Sequence, residues 1–404
     1  MPAPLTQRQV DILEVLRHSD TPLSRSEVAS ALNVARATLV EGLQDLEALG
    51  LIAPSGPSVS TGGRPAHTFE INADAARIGI IDVGGSRTRV GVSDLRGELL
   101  QTALLDAPVD DGPEQILGWA CGQLATMLTT LGPADTAADP GASTAAGHQR
   151  TLIVIGLPGP IDFTTGEVVS PPLMSSWQGF DVRGYIAQQI DAPLIIDNDV
   201  NLIALAEQRL SHPTSKVMLV IKLGTGVGGG LVINGHALRG ARGSAGDIGH
   251  TQATRAHGAP CRCGHTGCVE AIAGGWALVQ DLEARGVHAT NITDVARLVR
   301  DGEPNAVGLV RAAAKVVGQA VAQAVSLLNP DTVVIAGELL AAGDSIIANI
   351  REGVYQYSLP LATRDLTLVP TTLGPLVGLK GGAQLGIDYL FGTIDIPQLA
   401  PEHE

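Results

Sequence analysis

The sequence predicts an α/β protein in which a winged helix-turn-helix precedes a body of two lobes. Three short amphipathic helical patterns and a glycine-rich candidate wing fill the N-terminal part of the chain. From residue 75 onward, apolar strand patterns alternate with helical ones, which is typical of an α/β fold. Two of these strands lead into glycine-rich turns. We expect the turns to belong to two lobes that close on one phosphorylated ligand.

The N-terminal helices have recognisable ends. The first covers residues 5–18, where the apolar positions form one helical face. Ser24 and Glu27 have the spacing of a capping box, which predicts the start of a second helix. A third helix begins near Arg36 and ends at Gly50. Three short helices at this spacing predict a helix-turn-helix.

DNA binding is the function that this N-terminal pattern favours. We expect Arg36, Ala37 and Thr38 to contact the major groove. Arg64 would lie at the tip of the wing, near the minor groove. Residues 1–70 contain five Arg, no Lys and eight acidic residues, which counts against strong electrostatic attraction to DNA. The alternative is a small helical cap used for dimerisation.

Composition limits the class of protein. The chain has 404 residues, enough for two or three domains, and only 3% of them are aromatic, so we expect an aliphatic core. No apolar run reaches the length of a membrane span, and the N-terminus lacks a signal-peptide pattern. We therefore expect a cytoplasmic location and no membrane partner. The net charge of −15 argues against non-specific binding of nucleic acid and is neutral about specific binding.

The two glycine-rich turns are candidate phosphate sites. Residues 82–86 follow the apolar strand 78–81, and residues 224–230 follow the apolar strand 217–221. Glycines after a strand let backbone N–H groups approach phosphate oxygens. Each turn alone is equally typical of an ordinary hairpin. The repetition of the same strand–turn–strand unit favours the phosphate site.

Polar side chains also follow the apolar strand 194–196. Asn198 and Asp199 lie at its carboxyl end, where α/β folds place their ligands. Both are therefore candidate binding residues. The alternative is that they only cap the helix that begins there.

A cluster of thiols predicts a zinc site. Three of the four cysteines lie in one C-x-C-x4-C run: Cys261, Cys263 and Cys268. Structural zinc takes four nitrogen or sulfur ligands, and His250 is the natural fourth, with His257 and His265 as competitors. Such a zinc would tie the His250 loop to the loop that carries Glu270. The alternative is three unrelated thiols, or one disulfide and a spare thiol.

Together these motifs resemble the ROK family, which groups repressors, open reading frames and sugar kinases. The motifs are residues 82–87, 156–159, 198–201, 246–250 and 261–270. The resemblance covers nearly the whole chain, and the candidate wing at 61–66 resembles the repressor branch of the family. It implies a pair of actin-like (ribonuclease H-like) lobes of an ATPase fold, with a hexose bound between them.

The resemblance also implies roles for single residues. The sugar would be held by Gly159, Asn198, Asp199, Asp247, His250 and Glu270. The zinc would be held by His250, Cys261, Cys263 and Cys268. Nucleotide phosphates would lie against Asp82, Gly84, Gly85, Ser86, Gly224, Thr225, Gly226 and Gly337. In a kinase, Asp199 would be the catalytic base, and ATP and Mg²⁺ would be the cofactors.

Three residues depart from the pattern of the family. Asp247 replaces the usual Glu, and Arg87 replaces the Lys that is usual in the kinases. Glu338 follows Gly337 where a second small residue is usual. A carboxylate at that turn would repel phosphate, so the departures weigh against ATP use more than against sugar binding.

The resemblance gives an expected domain organisation and an expected function. We expect the winged helix at 1–72, a small lobe at 75–197 completed by a C-terminal helix at 380–392, and a large lobe with the zinc site at 198–379. The favoured function is a sugar-responsive transcriptional repressor, acting as a homodimer or homotetramer on an inverted repeat. The alternatives are an ATP-dependent, glucokinase-like sugar kinase with an attached DNA-binding domain, and a zinc-stabilised scaffold without a ligand.

Overall fold

The computed structural model describes residues 5–57, 67–132, 150–169, 171–253 and 258–399. Arg64 at the predicted wing tip and His257, one of the candidate zinc ligands, lie outside these ranges. Within them, no helix is long and apolar enough to cross a membrane.

The N-terminal unit contains three helices and an antiparallel sheet in the order β1-β3-β2. Its elements are α1 (Gln7–Arg17), β1 (Leu23–Ser24), α2 (Arg25–Ala31), α3 (Val40–Ala48), β2 (Ile52–Pro57) and β3 (His67–Ile71). Leu13, Val28 and Leu46, one from each helix, are fully buried in the core of this unit. This is the winged helix-turn-helix that the sequence predicts.

The starts of α2 and of the third helix both lie where the sequence predicts them. The backbone N–H of Ser24 donates to Glu27 Oε2 (2.7 Å), and the backbone N–H of Glu27 donates to Ser24 Oγ (3.3 Å), which is the predicted capping box. The third helix, by contrast, opens with a 3-10 turn over Arg36–Leu39 before α3 begins. Ala35 at the N-cap offers no side-chain acceptor, and such short turns are common at helix ends.

The first lobe is built on a five-stranded sheet in the order β10-β7-β4-β5-β6. Its elements are β4 (Arg77–Val83), β5 (Thr88–Ser93), β6 (Leu99–Leu105), α4 (Pro113–Leu131), β7 (Thr151–Leu157), β8 (Ile161–Asp162), β9 (Glu167–Val168), α5 (Val182–Ala187) and β10 (Leu194–Asn198). β4, β7 and β10 are parallel, whereas β5 and β6 are antiparallel to their neighbours.

The second lobe is built on a five-stranded sheet in the order β13-β12-β11-β14-β15. Its strands are β11 (Val217–Leu223), β12 (Val227–Ile233), β13 (His236–Ala237), β14 (Thr332–Ala336) and β15 (Thr367–Pro370). The helices of this part of the chain are α6 (Asp199–Ala206), α7 (Glu270–Ala273), α8 (Gly275–Glu283), α9 (Ile292–Arg300), α10 (Pro304–Leu328), α11 (Ser345–Tyr357), α12 (Pro360–Thr363) and α13 (Val377–Leu390).

Both sheets repeat one arrangement. In each, a central strand (β4 or β11) forms an antiparallel hairpin on one side and pairs with a parallel strand (β7 or β14) on the other. The two hairpin turns are the predicted glycine-rich turns. The carboxyl ends of the parallel strands of each sheet face the same edge, so the strand ends of both lobes are available for one site.

Helix α13, the last α-helix of the described residues, packs on β4 and β7 of the first sheet and beside α6. The contact with α6 is close. A Cβ atom at Gly381 would collide with the carbonyl oxygen of Leu202 in α6, so this approach requires glycine. α13 therefore connects the first lobe to the helix that begins at Asp199.

Candidate functional site

A cleft lies where the strand ends of the two sheets meet, and it holds about 810 Å³ of empty space including its open mouth. Ten residues predicted to bind sugar or phosphate line it: Gly85, Gly159, Asn198, Asp199, Gly224, Thr225, Gly226, Asp247, His250 and Glu270. Four predicted phosphate residues are not part of the lining: Asp82, Gly84, Ser86 and Gly337. The structure thus brings every predicted sugar residue to one cleft, together with half of the predicted phosphate residues.

Asn198 is held at the floor of the cleft by two hydrogen bonds. Its Nδ2 donates to the carbonyl oxygen of Gly159 (2.9 Å), and its Oδ1 accepts from the backbone N–H of Val200 (2.9 Å). The second bond is the helix cap that we considered as the alternative to a binding role. The cap and the cleft position coexist, because each amide group has one further donor or acceptor free for a ligand.

A buried ion pair between Asp197 and Arg239, which the sequence did not suggest, holds the backbone of Asn198. Asp197 Oδ2 accepts from Nε and Nη2 of Arg239 at 2.9 and 2.7 Å. Asp197 Oδ1 accepts from the backbone N–H of Asn198 and from Nδ2 of Asn201, both at 2.8 Å. The guanidinium of Arg239 also stacks over the ring of Phe163. A fully hydrogen-bonded pair of this kind holds the strand end in one position.

Glu270 is a buried carboxylate with two fixed partners. Its Oε2 accepts from the backbone N–H of Val227 (2.9 Å), and its Oε1 lies 3.3 Å from Nε1 of Trp276. Glu270 is the first residue of α7, where a helix favours a negative charge. Its orientation in the cleft is therefore fixed before any ligand arrives.

His250 faces the cleft with one ring nitrogen and the thiols with the other. Its Nε2 lies 4.0 Å from Asp247 Oδ1, and its Nδ1 lies 3.7 Å from Cys261 Sγ. Burial raises the pKa of the Asp247 carboxyl, and His250 opposes that rise. A ligand that bridges Asp247 and His250 would contact one acidic group and one imidazole.

The four predicted zinc ligands form one cluster. Ligand atoms of His250, Cys261, Cys263 and Cys268 all lie within 4.8 Å of one another. Donors at the corners of a zinc tetrahedron are about 3.8 Å apart, since Zn–S bonds are about 2.3 Å long, and the Sγ atoms of Cys263 and Cys268 are 3.7 Å apart. The three cysteines are free thiols, which contradicts a disulfide. The donor set fits a structural metal.

His265, the competing ligand, also approaches the thiols. Its Nδ1 lies 3.5 Å from Cys263 Sγ, but the residue is exposed and is not part of the four-residue cluster. Among the described residues, His250 is the histidine that completes the four-residue cluster.

Asp199, the predicted catalytic base, forms an ion pair with a lysine. Asp199 is 2% exposed, and its Oδ2 accepts a hydrogen bond from the ammonium of Lys222 on β11. Burial raises the pKa of the Asp199 carboxyl, and the positive charge of Lys222 opposes this. Sequence reasoning missed Lys222. The available signal was a single charged residue in an otherwise apolar strand.

The two glycine-rich turns touch each other. A Cβ at Gly85 would lie 2.6 Å from the Cβ of Thr225, so these turns meet this closely only because residue 85 is glycine. Glu338 Oε2 lies 2.9 Å from the position that a Cβ on Gly224 would take. The carboxylate that departs from the family pattern therefore lies directly against the second turn. A carboxylate at this position would repel the phosphates of a nucleotide.

On the winged helix, the predicted DNA contacts are accessible. Arg36, Ala37 and Thr38 are all exposed, on the 3-10 turn that precedes α3. Arg64 lies outside the described residues, so the wing contact stays a prediction.

Comparisons with known proteins agree with this architecture. The ROK family profile matches residues 78–388, and the IclR helix-turn-helix domain profile matches residues 6–56. A glucokinase of Halalkalibacterium halodurans is 31% identical over 327 residues, which cover 76% of this chain and 93% of that protein. A xylose repressor of Caldicellulosiruptor bescii is 26% identical over 368 residues, which cover 87% of this chain and 88% of the repressor.

One solved structure matches both parts of the molecule. It is a ROK family transcriptional regulator described as a homolog of the E. coli MLC protein, with a TM-score of 0.76. It is 23% identical in sequence, and the match covers 95% of this chain and 97% of the regulator, so it shows a shared fold. The profile match spans both lobes and the cleft between them. The chain belongs to the ROK family and carries an N-terminal helix-turn-helix in front of the actin-like body of that family.

Proposed function

We propose that this chain is a sugar-responsive transcriptional repressor. It binds operator DNA through the winged helix and a hexose or hexose derivative in the cleft. The observation that carries the proposal is the union of two parts in one chain. An exposed helix-turn-helix precedes a cleft with six polar or glycine positions suited to a sugar. The similarity to a protein named as a xylose repressor extends over 87% of this chain, which supports a repressor function.

The chemistry of the cleft suits an uncharged polyol. Asn198 offers an amide, Glu270 a carboxylate, and His250 an imidazole, and all three are already held by neighbouring groups. A small number of fixed polar groups in a cleft gives orientation and specificity at low entropic cost. Asp247 at the rim would reach one methylene less far than the Glu that is usual in the family.

We propose zinc for the cluster of His250 and the three cysteines. The metal would be structural and would take no part in a reaction. It would fix His250 Nδ1, which leaves Nε2 free to contact a sugar hydroxyl. The zinc would thus couple the loop of His250 to the segment that leads from Cys268 into Glu270.

We also propose the domain boundaries given above, namely a winged helix at 1–72 and lobes at 75–197 and 198–379. The packing of α13 on β4 and β7 supports a first lobe that is completed by residues near 380–392. The protein would act in the cytoplasm as a homodimer or homotetramer on an inverted repeat.

A second candidate function is an ATP-dependent sugar kinase in which Asp199 is the base. Its support is the position of Asp199 in the cleft and the 31% identity to a glucokinase. A coupled assay for ADP release with D-glucose and D-xylose tests this candidate. Turnover that needs the sugar and disappears in D199N would establish it.

The repressor proposal is tested in three steps with the purified full-length protein. Its binding sites are first selected from a random-sequence DNA library. The dissociation constant for a selected site is then measured by fluorescence anisotropy with and without each sugar of a hexose and pentose panel. We expect at least one sugar to shift DNA affinity and also to raise the thermal unfolding temperature. A protein that selects no DNA sequence, or DNA affinity unaffected by every sugar that binds, would contradict the proposal.

A further inference from the structure

Three carboxylates and one ammonium converge behind the glycine-rich turns. Asp82 lies at the end of β4, Asp199 at the start of α6, Lys222 on β11, and Glu338 directly after the turn that follows β14. The ammonium of Lys222 pairs with Asp199 Oδ2. Lys222 Cε and Glu338 Oε2 lie 3.7 and 2.9 Å from the same point, the position of a Cβ on Gly224.

This lysine is held firmly in its charged form. Its side chain is only 18% exposed, and burial acts strongly against its charge. The attraction of Asp199, Glu338 and Asp82 nevertheless outweighs burial and raises the pKa of Lys222 above its usual value. The ammonium is therefore a permanent positive charge among carboxylates at any physiological pH.

The position of the Lys222 ammonium matters because phosphoryl transfer needs a metal ion beside the phosphates and a base beside the sugar hydroxyl. A divalent cation must bridge the phosphates, and a free carboxylate must accept the proton of the sugar hydroxyl. In this cleft one oxygen of Asp199 is already bonded to Lys222. The carboxylate of Glu338 lies against Gly224, where it would repel a phosphate, and the turns of Gly85 and Thr225 are in contact. The residues do not fit a nucleotide with its Mg²⁺.

We propose that Lys222 is a built-in cation that replaces the divalent metal of a phosphotransfer site, so that the cleft binds its sugar without nucleotide and does not phosphorylate it. The ammonium neutralises Asp199 and part of the charge of Asp82 and Glu338. The inference deepens the proposed repressor function and rests on it. It also assigns Lys222 a positioning role, since the lysine orients Asp199 within the sugar site.

The test compares the zinc-loaded full-length wild type with K222M, which keeps an unbranched side chain of similar size and removes its charge. K216M is the matched control, because Lys216 is exposed and its side chain lies outside the cleft. Binding of Mn²⁺ is followed by electron paramagnetic resonance. Binding of D-glucose and D-xylose is followed by calorimetry with and without ATP and MgCl₂.

For the wild type and K216M, we expect sugar affinity unchanged by ATP and MgCl₂ and only weak binding of Mn²⁺. K222M should bind Mn²⁺ at least about tenfold more tightly, because losing an adjacent opposite charge is worth on the order of one pKa unit or more. The double variant K222M/D199N should lose that gain. K222R keeps the positive charge and should behave as the wild type.

The inference is overturned if wild type and K222M bind Mn²⁺ equally. ATP turnover by the wild type that D199N abolishes would also overturn it. If K222M does not fold, the wild type still decides the question, because a sugar affinity that changes with ATP and MgCl₂ would overturn the inference. Failure of the repressor function has a different signature, namely sugar binding without any change in DNA affinity, and the Mn²⁺ titration is independent of that result.

Discussion

Arg17 of the winged helix and Asp388 of α13 form a buried ion pair, with Arg17 Nη1 2.6 Å from Asp388 Oδ1. Their side chains are 8% and 3% exposed. Arg17 is the last residue of α1, and it also donates from Nη2 to Gln384 Oε1 (2.6 Å). The same carboxylate of Asp388 accepts from Nη2 of Arg209 at 3.3 Å. One buried carboxylate therefore joins the winged helix to the body.

Arg209 connects this ion pair to the cleft. It lies in the π-helical turn Glu207–Ser211, which continues α6, and α6 begins at Asp199. A shift of α6 when sugar binds at Asp199 would therefore move a partner of Asp388. Chains of packed elements that share a buried charge are suited to carry coupling between two sites.

The first prediction is that R17M uncouples DNA binding from sugar. Asp388 keeps Arg209 as a partner, so the body should stay folded and bind sugar with unchanged affinity. The sugar-dependent shift in DNA affinity, which is typically about 1–3 kcal/mol in coupled sites, should shrink or vanish. DNA affinity measured with and without sugar checks this, and R285M on an exposed body arginine is the control. A full sugar response in R17M would show that this ion pair does not transmit the signal.

The second prediction concerns the zinc site. C263S should lose the metal and weaken sugar binding at the same time, because the cluster fixes His250, which faces the cleft. Zinc content is measured by elemental analysis and sugar affinity by calorimetry. C121S is the control, since Cys121 is buried in α4 of the first lobe and outside the cluster. The prediction is contradicted if wild-type protein purified without chelators contains no zinc.

The third prediction concerns the buried carboxyl of Asp82, whose pKa is raised to about 6, chiefly by burial. Asp199 and Glu338 add to the rise, whereas Lys222 and Arg89 oppose it. The folded state binds this proton more tightly than the unfolded state, so stability falls as pH rises from about 4 to about 6. Above that range, the ionised Asp82 carboxylate lowers the free energy of unfolding by about 2–3 kcal/mol.

D82N should therefore raise the thermal unfolding temperature by several degrees at pH 7 and by less at pH 5. Unfolding followed by circular dichroism at both pH values checks this. D365N, a change at an exposed aspartate, is the control and should leave the temperature unchanged. A lower unfolding temperature for D82N at pH 7 would mean that the attraction of Lys222 and Arg89 exceeds the cost of burial.

The sequence predicted the cleft from local patterns, and it failed where long-range packing decides the chemistry. Asn198 and Glu270 lie in motifs whose spacing is visible along the chain. Lys222 in an apolar strand gave no sign of its partner, because Asp199 is 23 residues away. Asp388 is further still, 371 residues from Arg17. Such pairs depend on how α6 and α13 pack, and the spacing of apolar residues along the chain does not predict that packing.

The same limit applies to the first turn of the third helix. The apolar spacing at Leu39 and Leu43 does not distinguish the 3-10 turn over Arg36–Leu39 from an α-helical start. The predicted α/β class and the two glycine-rich hairpins depend only on strand length and turn composition. Both were therefore accessible from the sequence alone.

The last prediction concerns the geometry of DNA binding. The N-terminal segment carries few positive charges, so a single winged helix can neutralise few phosphates and should bind weakly. Two copies held together through their ROK bodies would contact two half-sites. We therefore expect a homodimer or homotetramer on an inverted repeat, with half-site centres about one helical turn apart or a multiple of it.

Arg36 and Arg64 supply the test of this arrangement. R36A should lower affinity for the selected site by about 1–3 kcal/mol if the side chain reads a base, and it should leave sugar affinity unchanged because the cleft is on the other part of the chain. R64A should also weaken specific binding, through the wing. R285A, at an exposed position on the body, is the charge-matched control.

Footprinting and sedimentation of the protein–DNA complex measure symmetry and stoichiometry together. A protected region without two-fold symmetry, or one protein chain per site, would contradict the dimeric arrangement, since a single weak winged helix would then account for all of the affinity.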